Sequence, residues 1–211
     1  MSVPPLAGPA GAGARSAARR RTTAETAVAV ELDLDGPRGV VRAATGLPFF
    51  DHMLDQLGRH GGFDLTVEAT GDLHVDGHHT VEDVALVAGE CFRAALGDAA
   101  GVRRFASGAY PLDEALVEVA LDLSGRPFVA YDVPIGDVLP LGDPPFNPEM
   151  AEHFWQSFAT RAGITLHVHL RSGRNTHHIV EATFKGVARC LRDAVRVEGA
   201  GVPSTKGTLS G

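Results

Sequence analysis

The amino-acid sequence predicts an α+β fold built from two similar halves. Three segments recur in the same order, and the pairs are VAVELDLDG (28–36) with VEVALDLSG (117–125), FDLTVEATG (63–71) with ITLHVHLRSG (164–173), and HHTVED (78–83) with HHIVEA (177–182). The first two pairs alternate apolar and other residues before a glycine, which is typical of half-buried strands. The third pair opens segments whose apolar residues recur every three or four positions, which is typical of helices. A repeat that keeps this order indicates an internal duplication.

Each half is expected to run strand, loop, helix, strand, loop and helix, with room for further hairpin strands. The last helix of the first half has the clearest apolar stripe, and Gly97 follows it as a predicted cap. Cys91 and Cys190 lie on the apolar faces of the two equivalent helices, so we predict that they pack in the core and form no disulfide. Residues 134–148 contain five prolines and are predicted to form a loop.

Length, composition and charge restrict the classes of protein to which the chain can belong. It has 211 residues, 44% of them hydrophobic, and a formal net charge of −7, which disfavours binding to nucleic-acid phosphates. No apolar run approaches 18 residues, so no membrane partner is expected, and no signal peptide is recognisable. Two cysteines are too few for a disulfide framework, so a cytoplasmic location is expected.

The composition also predicts a domain boundary near the N-terminus. Residues 1–19 are rich in Ala, Gly, Pro and Arg and are predicted to form a disordered tail, because small residues bury too little surface to offset the entropy of ordering. Residues 20–211 are predicted to form a single domain, in which the two repeats cover about 22–100 and 110–198.

The motif His-His-x-x-Glu stands at the start of a predicted helix in each half. Its residues are His78, His79 and Glu82 in the first half and His177, His178 and Glu181 in the second. The glutamate can share a helix face with the first histidine (i+4) or the second (i+3), whereas adjacent histidines point about 100° apart. Each motif is therefore expected to supply ligands to two different metal ions. A further histidine precedes each motif, His52 in the first half and His153 in the second.

Eight ligands divided between two ions give three imidazoles and one carboxylate for each ion. Four ligands would close a tetrahedral zinc site, but they leave two positions open on a six-coordinate ion. Mixed imidazole and carboxylate ligation with open positions favours Mn²⁺ or Fe²⁺; we expect Mn²⁺, with zinc as a competitor. Four histidines have no evident partner: His60, His74, His167 and His169.

Three long strings in the sequence resemble a known family. They are LPFFDHMLDQLGRHGGFDLTVEATGDLHVDGHHTVEDVA, PLDEALVEVALDLSGRP and NTHHIVEATFKGVARCLRDA. They resemble imidazoleglycerol-phosphate dehydratase, an enzyme of histidine biosynthesis, in its monofunctional form. The resemblance runs from about Arg20 to the C-terminal PSTKG and leaves the predicted tail outside.

The resemblance implies a fold, an assembly and a set of site residues. Each half would have a four-stranded sheet and two helices, with the helices packed between the sheets. Twenty-four subunits would form a shell in which two Mn²⁺ ions per active site are bound between subunits. The family's metal ligands match the eight residues His52, His78, His79, Glu82, His153, His177, His178 and Glu181. Its substrate-binding residues match Arg104, Arg126 and the C-terminal Ser204, Thr205 and Lys206, and its candidate acid–base residue matches Glu25.

The implied reaction removes water from a small phosphate substrate, imidazoleglycerol phosphate, to give imidazole acetol phosphate. Because no carbonyl acidifies the C–H bond that breaks, the metal ions are expected to act as Lewis acids on the ring nitrogens, through an imidazolate/diazafulvene-type intermediate. Glu25 is expected to transfer the proton, with a metal-bound water or one of the unassigned histidines as alternatives.

Two other functions stay open from the residues alone. A binuclear metallohydrolase would activate water between two ions about 3.5–4 Å apart that share a carboxylate. A metal-storage shell would have saturated sites and would need no residues that bind phosphate.

Overall fold

A computed structural model describes residues 15–36, 39–135 and 139–205. The first half contains β1 (Ser16–Thr22), β2 (Thr26–Asp33), β3 (Val41–Ala44), α1 (Pro48–Gly61), β4 (Asp64–Gly71) and α2 (His78–Leu96). The second half contains β5 (Phe105–Leu112), β6 (Ala115–Asp122), β7 (Phe128–Asp132), α3 (Met150–Ala162), β8 (Thr165–Ser172) and α4 (Thr176–Ala194). The two halves therefore have the same order of elements, as the repeated segments predict.

Each half has one four-stranded sheet, and the two sheets have equivalent topology. The strand orders are β1-β2-β4-β3 and β5-β6-β8-β7. The last pair of each sheet, β3 with β4 and β7 with β8, is parallel, because a helix crosses over between the two strands. The registers also correspond, since Val30 pairs with Val67 in the first sheet and Val119 with Val168 in the second. This equivalence confirms the internal duplication.

The helices α1 to α4 lie between the two sheets. Helix α2 packs on β1 and β2, and α4 packs on β5 and β6, while α1 packs against α4 and α3 against α2. The rings of Phe154, Trp155 and Phe184 are fully buried here, with centroids 4.8–5.2 Å apart. Burial of each such ring contributes about 1.5–3 kcal/mol. The helices of one half thus pack on those of the other, and the halves share one core.

The predicted boundary between a disordered tail (1–19) and the domain (20–211) is wrong for the tail residues that the structure describes as a strand. Residues 16–19 belong to β1, which pairs with β2 from Ser16 to Thr22. The composition concealed this strand, because main-chain hydrogen bonds and the inward-facing Ala17 hold it while its arginines remain largely exposed. Residues 1–14 of the predicted tail lie outside the described residues.

The two halves also begin earlier than the predicted repeats at 22 and 110. Their first strands, SAARRRT in β1 and FASGAYPL in β5, do not resemble each other in sequence. Both are sheet edges that pair with one neighbour only, so their side chains are less constrained than those of central strands.

Several smaller predictions are confirmed. Cys91 and Cys190 are free and buried, and Gly97 follows α2 with its N–H bonded to the carbonyl of Arg93. Prolines 140, 144, 145 and 148 lie in the connection between β7 and α3.

Within the described ranges, no helix combines the length and apolarity needed to cross a membrane.

Candidate active site

Two groups of candidate metal ligands lie at the N-terminal ends of α2 and α4. One contains His52, His177 and Glu181, and the other contains His78, Glu82 and His153. Within each group the ligand atoms lie within 4.8 Å of one another. In the first group, Oε2 of Glu181 is 2.9 Å from Nε2 of His177 and 3.4 Å from Nε2 of His52.

The helices explain why these residues meet. Helix α2 begins at His78, so Glu82 falls one turn later on the same face, and His177 and Glu181 have the same spacing in α4. The structure therefore selects the i,i+4 pairing, which the sequence left open beside i,i+3.

Each group also draws one histidine from the other half of the chain. His52 reaches the second-half motif because α1 packs against α4, and His153 reaches the first-half motif because α3 packs against α2. The sequence does not show this exchange, since the repeat pairs each histidine with the motif of its own half.

The chemistry of both groups fits a divalent metal ion. Nε2 of His153 is buried and has no hydrogen-bond partner among the described residues, and Oε1 of Glu82 lies 3.8 Å away. An unpaired imidazole nitrogen beside a carboxylate is costly to bury unless something binds it. Two imidazoles and a carboxylate suit Mn²⁺, Fe²⁺ or Zn²⁺. The groups share no carboxylate, which disfavours the bridged pair of ions of a binuclear hydrolase.

The second histidine of each motif lies outside both groups and contacts carboxylates of its own. Nδ1 of His79 is 3.1 Å from Oδ2 of Asp72 and 3.8 Å from Oε2 of Glu25. Nδ1 of His178 is 2.8 Å from Oε2 of Glu114. These hydrogen bonds raise the pKa of both histidines, mainly through Asp72 for His79 and through Glu114 for His178.

The structure adds two site contacts that sequence reasoning missed. Nζ of Lys185 is 2.6 Å from Oε1 of Glu181, one helical turn along α4. Burial acts to raise the pKa of the Glu181 carboxyl, but the Lys185 ammonium and the imidazoles of His177 and His52 outweigh it, so the pKa lies below its ordinary value. Nε2 of Gln56 is 3.4 Å from Nδ1 of His52. The i,i+4 spacings of Lys185 from Glu181 and of Gln56 from His52 were the available signals.

Arg104 is held by protein groups at the opposite end of the domain. Its guanidinium makes a two-pronged hydrogen bond to Asp122, at 2.7 and 3.0 Å, and donates to the carbonyl of Pro203 at 2.7 Å. The paired carboxylate raises the pKa of Arg104. Arg104 therefore fixes the segment that carries Ser204 and Thr205, whereas Lys206 lies outside the described residues.

Arg126 is arranged differently, with a fixed backbone and a free side chain. Its N–H donates to Oγ of Ser124 at 3.1 Å, and its carbonyl accepts from Ser124 at 2.9 Å and from Thr165 at 3.2 Å. Within the described ranges, its exposed guanidinium has no hydrogen bond or ion pair. Such an arginine is available to a phosphate.

The structure does not bring the arginines and the metal-ligand groups of one chain together. Strand β6 begins directly after Glu114 and ends at Asp122. Glu114 contacts His178 at one end of the strand, and Asp122 binds Arg104 at the other. Eight residues of strand separate these contacts by roughly 26 Å. Arg126 also lies at the far end, beside the first residue of β8.

The four remaining histidines stay outside the site. His167 and His169 lie on β8, where His167 contacts the ring of Phe128 and His169 lies 3.6 Å from Asp132. Burial lowers the pKa of His60 on α1, and Lys185 and Arg189 lower it further. His74 is exposed in the connection between β4 and α2.

Known proteins resemble this chain in sequence over most of its length. A family model described as imidazoleglycerol-phosphate dehydratase matches residues 45–191. A relative of that name from Parafrankia sp. (strain EAN1pec) is 54% identical over 93% of this chain and 100% of that protein. Another of that name from Acidothermus cellulolyticus is 56% identical over 92% of this chain and 93% of that protein. The chain belongs to the imidazoleglycerol-phosphate dehydratase family.

Solved structures of imidazoleglycerol-phosphate dehydratases share the fold. The enzyme from Staphylococcus aureus superposes with a TM-score of 0.76 at 30% identity, over 86% of this chain and 99% of that chain. The structure of IGPD from Pyrococcus furiosus in complex with (S)-C348 superposes with a TM-score of 0.75 at 36% identity, over 90% of this chain and 99% of that chain. These neighbours confirm the duplicated α+β fold. The names of the relatives confirm a hydro-lyase of histidine biosynthesis that acts on a small phosphate substrate.

Proposed function

We propose that this chain dehydrates imidazoleglycerol phosphate to imidazole acetol phosphate with two divalent ions, Mn²⁺ by preference, at each active site. The observation that carries the proposal is the pair of equivalent ligand groups, each with two histidines and one glutamate, in a member of a dehydratase family. Two free, buried cysteines are consistent with a reducing compartment, and we propose that the enzyme acts in the cytoplasm.

His79 and His178 are the proposed fourth ligands, and they would bind ions held by neighbouring copies of the chain. Each follows a histidine that belongs to a ligand group, and adjacent helix residues point about 100° apart, so the two cannot easily reach one ion. Each also has its Nδ1 engaged by a carboxylate, which leaves Nε2 as the ligand atom. Metal-binding histidines commonly have such a partner. This sharing requires a homo-oligomer, and the family resemblance implies that it has 24 subunits.

The substrate phosphate would be bound by Arg126, Arg104 and the C-terminal residues Ser204, Thr205 and Lys206. The free guanidinium of Arg126 offers a planar pair of donors to phosphate, while the pairing of Arg104 with Asp122 fixes the C-terminal segment. Because Arg104 and Arg126 lie at the far end of β6 from Glu114 and His178, and that strand is roughly 26 Å long, the proposed active site combines the arginine end of one copy with the metal end of another.

Glu25 is the proposed proton-transfer residue. Bound ions would supply Lewis acidity at the ring nitrogens of the substrate, the basis of the imidazolate/diazafulvene-type route expected from the sequence. Glu25 lies 3.8 Å from His79 and its side chain is 56% exposed, so its carboxylate is next to a proposed metal ligand and accessible to substrate. The carboxylate accepts no hydrogen bond within the described residues, which leaves it available to take the proton from the carbinol carbon.

The test is an assay for imidazole acetol phosphate with the purified full chain after removal of metal, with Mn²⁺ then added back while particle size is measured. The proposal predicts no turnover without metal, and a joint rise of turnover and particle size as Mn²⁺ is restored. Full activity in the metal-free protein would contradict it.

A further inference from the structure

The two halves contain glutamates at equivalent positions that make different contacts. Glu25 and Glu114 each lie three residues before the equivalent strand segments at 28 and 117. Oε2 of Glu114 is 2.8 Å from Nδ1 of His178, and Oε1 accepts the N–H groups of Asn175 at 2.8 Å and Arg174 at 3.1 Å. Glu25 makes none of these hydrogen bonds. In the first half, Asp72 is the carboxylate bonded to the equivalent histidine.

The sequence after β8 explains why the second half needs a glutamate at this position. Gly173 is equivalent to Gly71, since a Cβ at Gly71 would meet Thr80 and Thr26 and a Cβ at Gly173 would meet the equivalent residues Ile179 and Ala115. The position equivalent to Asp72 is therefore Arg174. Arg174 has no carboxylate, and its backbone N–H donates to Oε1 of Glu114 at 3.1 Å. The carboxylate that contacts His178 therefore has to come from another element, and the turn between β5 and β6 supplies Glu114.

We propose that Glu114 is a positioning residue that holds His178 with its proton on Nδ1, so that Nε2 is free to bind a metal ion. Asp72 would do the same for His79. With Glu114 bonded to His178 and Asp72 bonded to His79, Glu25 is the one of the two equivalent glutamates, Glu25 and Glu114, that is free to transfer a proton. The inference rests on the proposed function, because it requires that His178 and His79 bind metal. Asp113 lies 3.6 Å from Nε2 of His178, beyond hydrogen-bond distance.

Replacement of Glu114 by glutamine would reverse the hydrogen bond to His178. The N–H groups of Arg174 and Asn175 both point at Oε1, so the oxygen of the glutamine amide would take that position. The amide nitrogen would then face Nδ1 of His178 and donate to it. The imidazole would carry its proton on Nε2, and a protonated nitrogen cannot bind a metal ion.

The experiment is a titration of metal-free full-length protein with Mn²⁺, in which the free ion is measured by electron paramagnetic resonance. For Glu114→Gln we expect half of the Mn²⁺ sites to weaken by roughly 10- to 100-fold and the other half to bind as in the wild type. The matched control is Glu118→Gln, on the strand β6 that follows Glu114, where the glutamate pairs with Arg171; both classes of site should bind normally. Glu25→Gln should bind Mn²⁺ normally but lose turnover.

A second variant applies the same test to the first half. Asp72→Asn should weaken the sites that contain His79, the class that Glu114→Gln spares, so the double variant should lose high affinity at both classes. Wild-type binding of Mn²⁺ at both classes in Glu114→Gln or in Asp72→Asn would overturn the inference. A wild-type chain that binds no Mn²⁺ would instead overturn the proposed function. The melting temperature of each metal-free variant should match the wild type, which separates positioning from a loss of folding.

Discussion

The two halves of the chain share a fold and a ligand motif, but they differ in the groups around the motif. In the first half, Asp72 bonds to His79, and the carboxylate of Glu25 accepts no hydrogen bond from the described residues. In the second half, Arg174 replaces that aspartate, and Glu114 is bonded to His178 and to the backbone. The comparison teaches that duplication can keep two equivalent groups of candidate metal ligands while the carboxylates around them change their partners.

The largest expected effect tests the equivalence of the halves as metal sites. His78→Ala and His177→Ala each remove one imidazole from one group, and each should cost several kcal/mol of charge stabilisation, which is roughly a thousandfold or more in turnover. Metal content per chain and the rate of formation of imidazole acetol phosphate measure this. A large loss in one variant with normal activity in the other would break the equivalence.

The next effect tests the difference between the halves. Glu25→Gln should lower kcat by roughly a hundredfold to ten-thousandfold, because it removes the free carboxylate, and it should leave Mn²⁺ binding unchanged. Steady-state kinetics with saturating Mn²⁺, beside a metal titration, separate the two effects. Near-normal kcat in this variant would contradict the assignment of Glu25.

A smaller effect concerns binding of the substrate phosphate, for which the proposed residues all belong to the second half. Arg126 is equivalent in the repeated sequence to Pro37 of the first half. Arg126→Ala should raise KM by roughly 10- to 100-fold, since a hydrogen bond to a charged group contributes about 1.5–3 kcal/mol. The control is Arg161→Ala, which removes an exposed arginine 3.6 Å from Glu90. Equal KM values in the two variants would argue against a phosphate contact at Arg126.

The smallest effect concerns stability. Asp83 on α2 accepts a hydrogen bond from Arg21 at 2.8 Å and another from Thr26, which ties β1 and β2 to the helix. The equivalent residue of the second half is Ala182. Asp83→Ala should destabilise the fold by about 1–3 kcal/mol, because it leaves the buried Thr26 hydroxyl without its partner. Denaturant unfolding measures this, and an unchanged free energy of unfolding would show that the network contributes nothing.

The sequence was sufficient for the duplicated fold, and it singled out the six residues that the structure brings into the two candidate ligand groups, because strand alternation, helix periodicity and the repeated motif are local features. It was insufficient for the grouping of the ligands, since the exchange of His52 and His153 between halves depends on which helices pack together. It also missed β1, whose arginines are typical of a solvated tail. The pairing of Asp72 with His79 depends on the path of a loop, although the equivalence of Glu25 and Glu114 was visible in the repeat.

The central claim, that one active site combines residues of different copies, is tested most directly by complementation. His177→Ala lacks a metal ligand and Arg126→Ala lacks the proposed phosphate contact, and the two sets lie at opposite ends of one chain. The two variants would be mixed after removal of metal, reassembled with Mn²⁺, and assayed at a substrate concentration well below the KM of Arg126→Ala. The account predicts that the mixture becomes more active than the average of the separately assembled variants, because some sites then draw every residue from an intact end. A mixture that is no more active than that average would contradict it.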